Sequence, residues 1–136
     1  MANKLLKYIS FAILLFGIYL CSFYVNFKSL TAGANQYDFS RYIWIASLIY
    51  IPIGLCLGVP RLMGEKKKSG SWKLNTFKLI FIGIPALYFS SYLLIYAHLP
   101  SLQIEGVLGN ALFQGKATSI ASVILGYTII TSFYKE

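Results

Sequence analysis

The chain alternates between long uncharged apolar runs and short segments that carry nearly all of its charge. Four runs contain no Asp, Glu, Lys or Arg, and they occupy residues 8–27, 42–60, 79–99 and 117–134. A helix needs roughly 20 residues to cross the hydrocarbon core of a bilayer, because each residue rises about 1.5 Å. Each run therefore predicts a transmembrane helix, of which the fourth, at about 18 residues, is the shortest that qualifies.

Four such runs predict an all-α membrane protein, a single four-transmembrane-helix antiparallel bundle over residues 1–136. In lipid every backbone polar group must be satisfied within the chain, so spans of this length are helices. The third span is expected to end near Pro100, because the residue before a proline disfavours helix. The first run is too long for a signal-peptide core, and Lys28 follows it, so we expect it to be retained as a span.

The composition indicates a membrane protein, and this affects how the net positive charge of the chain is interpreted. The chain is 57% hydrophobic and 12% charged, whereas ordinary soluble domains are roughly 45–50% apolar and about 25% charged. A net charge of +8 in a soluble chain would point to nucleic acid. Here the basic residues cluster at the ends of the apolar runs, which is typical of membrane topology signals, and no nucleic-acid partner is expected.

The most basic segment, residues 61–78, fixes the predicted orientation. It carries six of the 12 Lys and Arg residues: Arg61, Lys66, Lys67, Lys68, Lys73 and Lys78. Short basic loops stay cytoplasmic, and placing both termini inside puts nine basic residues inside and three outside. We therefore predict a multi-pass protein of the bacterial cytoplasmic membrane with both termini cytoplasmic. These six residues are predicted to contact anionic lipid.

The same segment has a predicted internal structure. Its centre, Gly64 to Ser71, is rich in Gly, Ser and Lys and is expected to be mobile. Its end, Trp72 to Lys78, is expected to begin the third helix at the lipid headgroups. At the other membrane face, aromatic residues mark the start of the second span, as in an interfacial belt: Tyr37, Tyr42 and Trp44.

Small residues in two spans predict close helix packing. The second span holds a G-x-x-x-G motif, Gly54 and Gly58, which lets another backbone approach closely. The fourth span repeats small residues every four positions, at Thr118, Ser122 and Gly126. The partner helix is either in the same chain or in another subunit, and the sequence leaves both alternatives open.

One candidate binding stripe lies on the third span. It consists of four polar residues spaced three and four apart, on adjacent helix faces: Tyr88, Ser91, Tyr92 and Tyr96. Each hydroxyl in hydrocarbon needs a partner, so the stripe faces either neighbouring helices or a polar crevice. Pro52 and Pro85 lie inside spans and are expected to kink them.

Reactive chemistry is sparse. Cys21 and Cys56 are predicted to differ in depth by roughly 14 Å, too far for a disulfide, so both are expected to be free and buried. No Cys/His cluster with metal-ligand spacing is present, and neither a metal nor another cofactor is predicted. His98 and Glu105 are the candidates for chemistry at the outer face, without assignable roles. The absence of charge inside the spans argues against an ion-coupled transporter.

Three functional hypotheses follow. The first is an accessory or interaction subunit, or a regulator, in a bacterial cytoplasmic membrane; it is not an enzyme and pairs with a membrane protein partner or forms a homo-oligomer. The alternative is a minimal oligomeric permease or lipid carrier that uses the Tyr88–Tyr96 stripe. The third is a membrane enzyme that acts on a lipid headgroup. Membrane lipids, anionic ones at the cytoplasmic face, are expected partners of the basic segment.

Overall fold

A computed structural model describes residues 2–36, 39–114 and 116–136 of the chain. The protein is mostly helical, as the hydropathy pattern predicts. The predicted belt residue Tyr37 lies outside the described residues. The elements, in chain order, are α1 (Ala2–Gln36), α2 (Phe39–Leu48), α3 (Ile51–Lys66), β1 (Trp72–Leu74), α4 (Thr76–Lys78), a π-helix (Leu79–Gly83), α5 (Ile84–Ser90), α6 (Tyr92–His98), a 3-10 turn (Pro100–Leu102), α7 (Val107–Gln114), α8 (Ala117–Thr131) and β2 (Phe133–Lys135).

Two stretches of helix are long and apolar enough to cross a membrane, and a third qualifies if a bent pair counts as one. The two are Ile9–Thr31 and Tyr42–Lys66. The third candidate joins Thr76–Ser90 to Tyr92–His98 across a bend of 56°. Helix α8 is apolar but has 15 residues, a rise of about 22 Å. It is therefore shorter than the predicted fourth span, because the chain turns into strand β2 at Phe133.

Helix α1 is longer than the predicted first span, and its apolar window is less buried than that of the second span. It runs from Ala2 to Gln36, because the single charge of Lys28 does not interrupt backbone hydrogen bonding. Only 6% of its apolar window is buried, against 39% for the second. Helix α1 contacts α2 and α3 at the edge of the fold.

The basic segment differs from its predicted boundaries of 61–78. Helix α3 continues through Pro60 to Lys66, since an internal proline removes one backbone donor without ending every helix. Arg61 and Lys66 therefore lie on a helix, and the predicted mobile centre from Gly64 is helical at its start. Trp72–Leu74 forms a strand instead of beginning a helix. The third helical stretch begins after Asn75, whose Oδ1 accepts the N–H of Lys78 at 3.0 Å.

Pro52 and Pro85 occupy the first turns of α3 and α5, and both lie within longer helical stretches, Tyr42–Lys66 and Thr76–Ser90. Each follows an irregularity of its stretch, because a proline removes a backbone donor and disturbs the preceding turn. Before Pro85 this irregularity is the π-helix Leu79–Gly83. The chain breaks just before Pro52, at the Ile49–Tyr50 turn. The larger bend follows Pro85 by several residues and lies at Ser91, between α5 and α6. The third helical stretch ends at His98, next to Pro100, as predicted.

The interior is built around α8 from small side chains. Helix α8 contacts α2, α3, α5 and α7. The buried apolar residues include Ala46, Ala86 and Ala121. Buried hydroxyls bond to backbone carbonyls, and Ser122 Oγ donates to the Ser47 carbonyl of α2 at 2.6 Å. Small residues allow close backbone approach, which is the main source of helix association in lipid.

Candidate functional site

The predicted packing residues meet within this chain. A methyl group at Gly54 would overlap the carbonyl of Val123, and one at Gly126 would overlap the carbonyl of Ile51. At Gly58 a methyl group would meet the Ile130 side chain. Thr118 and Ser122 are also buried. In this structure, therefore, the G-x-x-x-G face of α3 contacts α8 of the same chain.

A two-stranded sheet gathers the basic segment and the C-terminal strand at one end of the fold. Strand β1 pairs antiparallel with β2, with Lys73 opposite Tyr134. Ser71 and Glu136 extend the ladder with reciprocal backbone hydrogen bonds of 3.1 and 3.2 Å. We call this the basic end; it comprises Arg61, Lys66, Lys67, Lys68, Lys73, Lys78 and Lys135.

The residues of the basic end differ in how they are used. Lys68 pairs with Glu65 at 2.6 Å, and Lys73 pairs with Glu136 at 2.8 Å. Two others bind within the fold: Lys78 donates to Thr131, and Lys135 donates to the Lys68 carbonyl at 3.1 Å. The exposed members without an ion pair among the described residues are Arg61, Lys66 and Lys67. These three have the greatest freedom to meet an external anion.

The candidate binding stripe on α5 and α6 binds the chain itself. Tyr88 donates to the Leu102 carbonyl at 2.7 Å, and Tyr92 donates to the Ile104 carbonyl at 3.2 Å. Tyr92 is 1% exposed. Tyr96 stacks on Phe113 of α7 with ring centroids 4.5 Å apart. Ser91 forms the bend between the two helices. The stripe thus fastens the connection between α6 and α7 to the helices beneath it.

A cavity lies elsewhere, between α1, the α2–α3 segment, α6, α7 and α8. Its volume is about 690 Å³. Most of its wall is apolar, and seven polar or amphipathic residues interrupt it: Tyr19, Asn26, Tyr42, Tyr50, Lys116, Thr118 and Ser119. Its wall comes from separate segments of the chain, so no local sequence pattern marks it. Of the residues singled out from the sequence as site residues, only Thr118 lines it.

Asn26 gives this cavity an unsatisfied polar group. Its Nδ2 donates to the Tyr50 hydroxyl at 3.3 Å. Its Oδ1 is buried and has no hydrogen-bond partner among the described residues. Buried polar atoms are normally satisfied, so this oxygen marks a place where a donor from a bound molecule would be favourable.

A second, smaller groove follows α1 beside the start of α3. Its volume is about 440 Å³, and its lining is Leu14, Gly17, Ile18, Cys21, Ser22, Val25, Ile49 and Pro52. No described atom lies within 4 Å of the position that a side-chain methyl group would take at Gly17. Ser22 joins the helices here, because its Oγ donates to the Ile49 carbonyl at 3.1 Å. The groove is therefore an apolar surface into which the side chains of another helix can pack.

The remaining candidates for chemistry are dispersed. His98 is exposed and its Nδ1 lies 3.2 Å from the Leu94 carbonyl of its own helix. Glu105 is exposed in the connection that follows. Within the described ranges, no group of three or more His, Cys, Asp or Glu side chains is placed to hold a metal ion. Both cysteines are free; Cys56 is buried, whereas the prediction that Cys21 is buried was wrong, because α1 exposes that side chain.

No protein family, curated protein or solved structure matches this chain. The class that fold and composition define is a small, mostly helical protein with two or three candidate membrane spans.

Proposed function

We propose that the chain crosses the bacterial cytoplasmic membrane four times and has both termini in the cytoplasm. The support is the pairing of β1 with β2. Because this sheet holds the two ends of the α4–α8 segment together, the segment must leave the basic end and return to it. The excess of Lys and Arg at this end favours the cytoplasmic side.

This topology can be tested with single cysteines at exposed positions. In a Cys21→Ser, Cys56→Ser background, Ser69→Cys probes the basic end and Ser101→Cys probes the opposite end. A membrane-impermeant maleimide applied to intact cells should label position 101, and should label position 69 after lysis. Labelling of position 69 in intact cells would show that the basic end is outside, opposite to the proposed orientation. If both positions are protected in intact cells and are labelled after lysis, both lie in the cytoplasm. The α4–α8 segment would then be re-entrant and would not cross the membrane.

Within this topology the protein acts as an accessory or interaction subunit whose partner is a transmembrane helix of another membrane protein. The observation that carries this proposal is the weak packing of α1, of which 6% of the apolar window is buried. Hydrophobicity alone does not drive helices together in lipid. Close packing against small residues does, because it lets the two backbones approach each other. The groove beside Gly17 offers a surface for such packing, on the less buried of the two long apolar helical stretches.

The dimensions of the groove favour a helix as its occupant. From Leu14 to Val25 it follows α1 for about 16 Å, or three turns. Gly17 and Cys21 are small and four residues apart, so the backbone of a neighbouring helix can approach them closely. The lining offers few polar groups, which suits a hydrocarbon-embedded helix better than a polar ligand.

Native mass spectrometry of gently extracted complexes tests this function. We expect a foreign membrane subunit at fixed stoichiometry with the unmodified chain. Gly17→Leu should remove that subunit, because the leucine fills the groove. Ala12→Leu is the matched control, since Ala12 is exposed on the same helix outside the groove lining, and it should leave the complex intact. A complex that survives Gly17→Leu, or a bare monomer from unmodified membranes, would refute this assignment.

A second candidate function is a small oligomeric permease or lipid carrier, and the cavity of about 690 Å³ is the observation that favours it. A homo-oligomer that retains a defined lipid in the same mass spectra, with no foreign subunit, would favour this function over the first.

A further inference from the structure

We propose that the cavity beside Asn26 binds a single-chain anionic amphiphile from the membrane, with its hydrocarbon chain in the apolar part and its headgroup at Lys116. The proposal deepens the second candidate function. It rests on the proposed topology only for the leaflet, which would be the outer one. The binding site itself is a property of the folded chain.

The size and lining of the cavity define the ligand class. Small-molecule sites usually have about 300–1,000 Å³, mostly apolar walls and a few placed polar groups. This cavity has about 690 Å³, so it suits one hydrocarbon chain with a compact headgroup. Phe23, Ile53 and Leu93 contribute to the apolar wall. A fully hydrophilic solute would leave its own polar groups unpaired against such a wall.

The polar groups have an order along the cavity. Lys116 precedes the first turn of α8 and supplies a positive charge at one end. Tyr19 and Ile53 lie toward the other end, and on α1 the step from Asn26 to Tyr19 is about 10 Å. An anionic headgroup is therefore favoured beside Lys116, and an apolar tail is favoured beside Tyr19 and Ile53. A cation is disfavoured at the same mouth by Lys116.

Asn26 supplies the specific contact between these two ends. Its buried Oδ1 has no hydrogen-bond partner in the part of the chain that the structure describes, so a hydroxyl or amide N–H of the ligand would satisfy it. Tyr50 already accepts a hydrogen bond from Asn26 Nδ2, which leaves its own O–H free to donate to an ester carbonyl. A hydroxyl next to an ester is a combination that a lysophospholipid backbone provides.

The experiment uses the full chain in detergent micelles and native mass spectrometry. The probe is palmitoyl lysophosphatidylglycerol, titrated against palmitoyl lysophosphatidylcholine, which has the same chain and no net charge. We expect one bound probe per chain and a preference for the anionic probe of about fivefold, the upper range for an exposed charge pair. Lys116→Gln should remove the preference, and Lys67→Gln at the basic end should retain it.

Matched variants of α8 test the location. Ser119→Trp places a large ring in the cavity and should abolish the single binding event. Ile124→Trp adds the same ring at an exposed position outside the lining and should not. A thermal melt checks that both variants are folded. If Ser119→Trp fails to fold, Ala46→Leu fills the cavity from α2 and makes the same test. Asn26→Leu should weaken the probe about tenfold by removing the acceptor.

Three results would overturn the proposal. Equal binding to Ser119→Trp, or to Ala46→Leu in its place, would mean that the probe sits elsewhere on the surface. Equal affinity for the two probes would show that the site does not select an anionic headgroup. If glycerol phosphate, which has no hydrocarbon chain, displaces the probe, the ligand is a soluble phosphate compound and not a lipid. None of these measurements depends on membrane orientation, so failure here is distinguishable from failure of the cysteine-labelling test.

Discussion

The side-chain carboxylate of Glu65 accepts the backbone N–H of Lys135 at 3.1 Å, which joins positions 70 residues apart. The other oxygen of the same carboxylate pairs with Lys68 at 2.6 Å. Glu65 is the one acid in the segment from residue 61 to 78. A single negative charge thus connects the end of α3, the basic loop and strand β2.

Removing this charge should loosen the basic end. In Glu65→Gln the ion pair with Lys68 is lost, and the amide oxygen alone must replace two carboxylate acceptors. We expect faster amide hydrogen exchange in β1 and β2, especially at Ser71 and Glu136, because their pairing is exposed and short. Hydrogen exchange with mass spectrometry on the detergent-solubilised protein measures this change.

Glu105→Gln serves as the control for that measurement, since it removes an exposed acid from the connection before α7. It should leave exchange in both strands unchanged. If the two variants behave alike, the loss of one negative charge, and not the contact with Lys135, controls the sheet.

Gly54 should tolerate no side chain. In Gly54→Ala the added methyl group overlaps backbone atoms of α8, which cannot move as a flexible side chain would. We expect a loss of stability of about 1–3 kcal/mol, the usual cost of overpacking. Gly64→Ala is the matched control on the same helix, because nothing lies within 4 Å of that position. It should be neutral or slightly stabilising. Thermal unfolding in micelles would contradict this view if both variants melted together.

Loss of the hydroxyl group should destabilise the protein more at Tyr92 than at Tyr96, whose hydroxyl has no hydrogen-bond partner among the described residues. Tyr92→Phe removes the hydrogen bond to Ile104 from a buried site and should cost about 0.5–1.5 kcal/mol. Tyr96→Phe keeps the ring that stacks on Phe113 and should change stability little. Equal effects in a chemical denaturation series would show that the Tyr92 hydroxyl does not hold the α6–α7 connection.

The two thiols should differ in reactivity. Cys21 is exposed on α1 and Cys56 is buried between helices, so access favours Cys21. Treatment of the micellar protein with N-ethylmaleimide should give one adduct well before a second, and peptide mapping should place the first at Cys21. Cys56→Ser should leave the early adduct intact. An early adduct at Cys56 would mean that this buried thiol becomes accessible readily.

The sequence predicts the helical class because charge is excluded from long runs, a signal that needs no knowledge of packing. It also predicts the helix end at His98, since Pro100 restricts the residue before it. Strand β1 is missed for the opposite reason. Its pairing partner is β2, some 60 residues away, and a three-residue strand carries no periodic pattern of its own. The local sequence at Trp72–Lys78 favours a helix, whereas pairing with β2 makes Trp72–Leu74 a strand.

The candidate sites show the same division. Gly54 and Gly126 can be recognised from spacing, because close helix contact requires small residues wherever the partner lies. The cavity cannot, since Asn26, Tyr50 and Lys116 become neighbours only when separate segments pack. The tyrosine stripe was recognised as polar and in need of partners. The sequence did not indicate that two of these partners are the carbonyls of Leu102 and Ile104.

Helix α8 has a consequence for the lipid around it. Its 15 residues rise about 22 Å, whereas the hydrocarbon core of an average bilayer is about 30 Å thick. In the proposed topology the central helix is thus short by about a quarter of the core thickness. Lipid must thin locally, or the side chain of Lys116, which directly precedes α8, must extend toward the headgroups, each at a modest cost per ångström. We expect the protein to enrich in thinner membrane regions and to melt at a higher temperature in shorter-chain lipids.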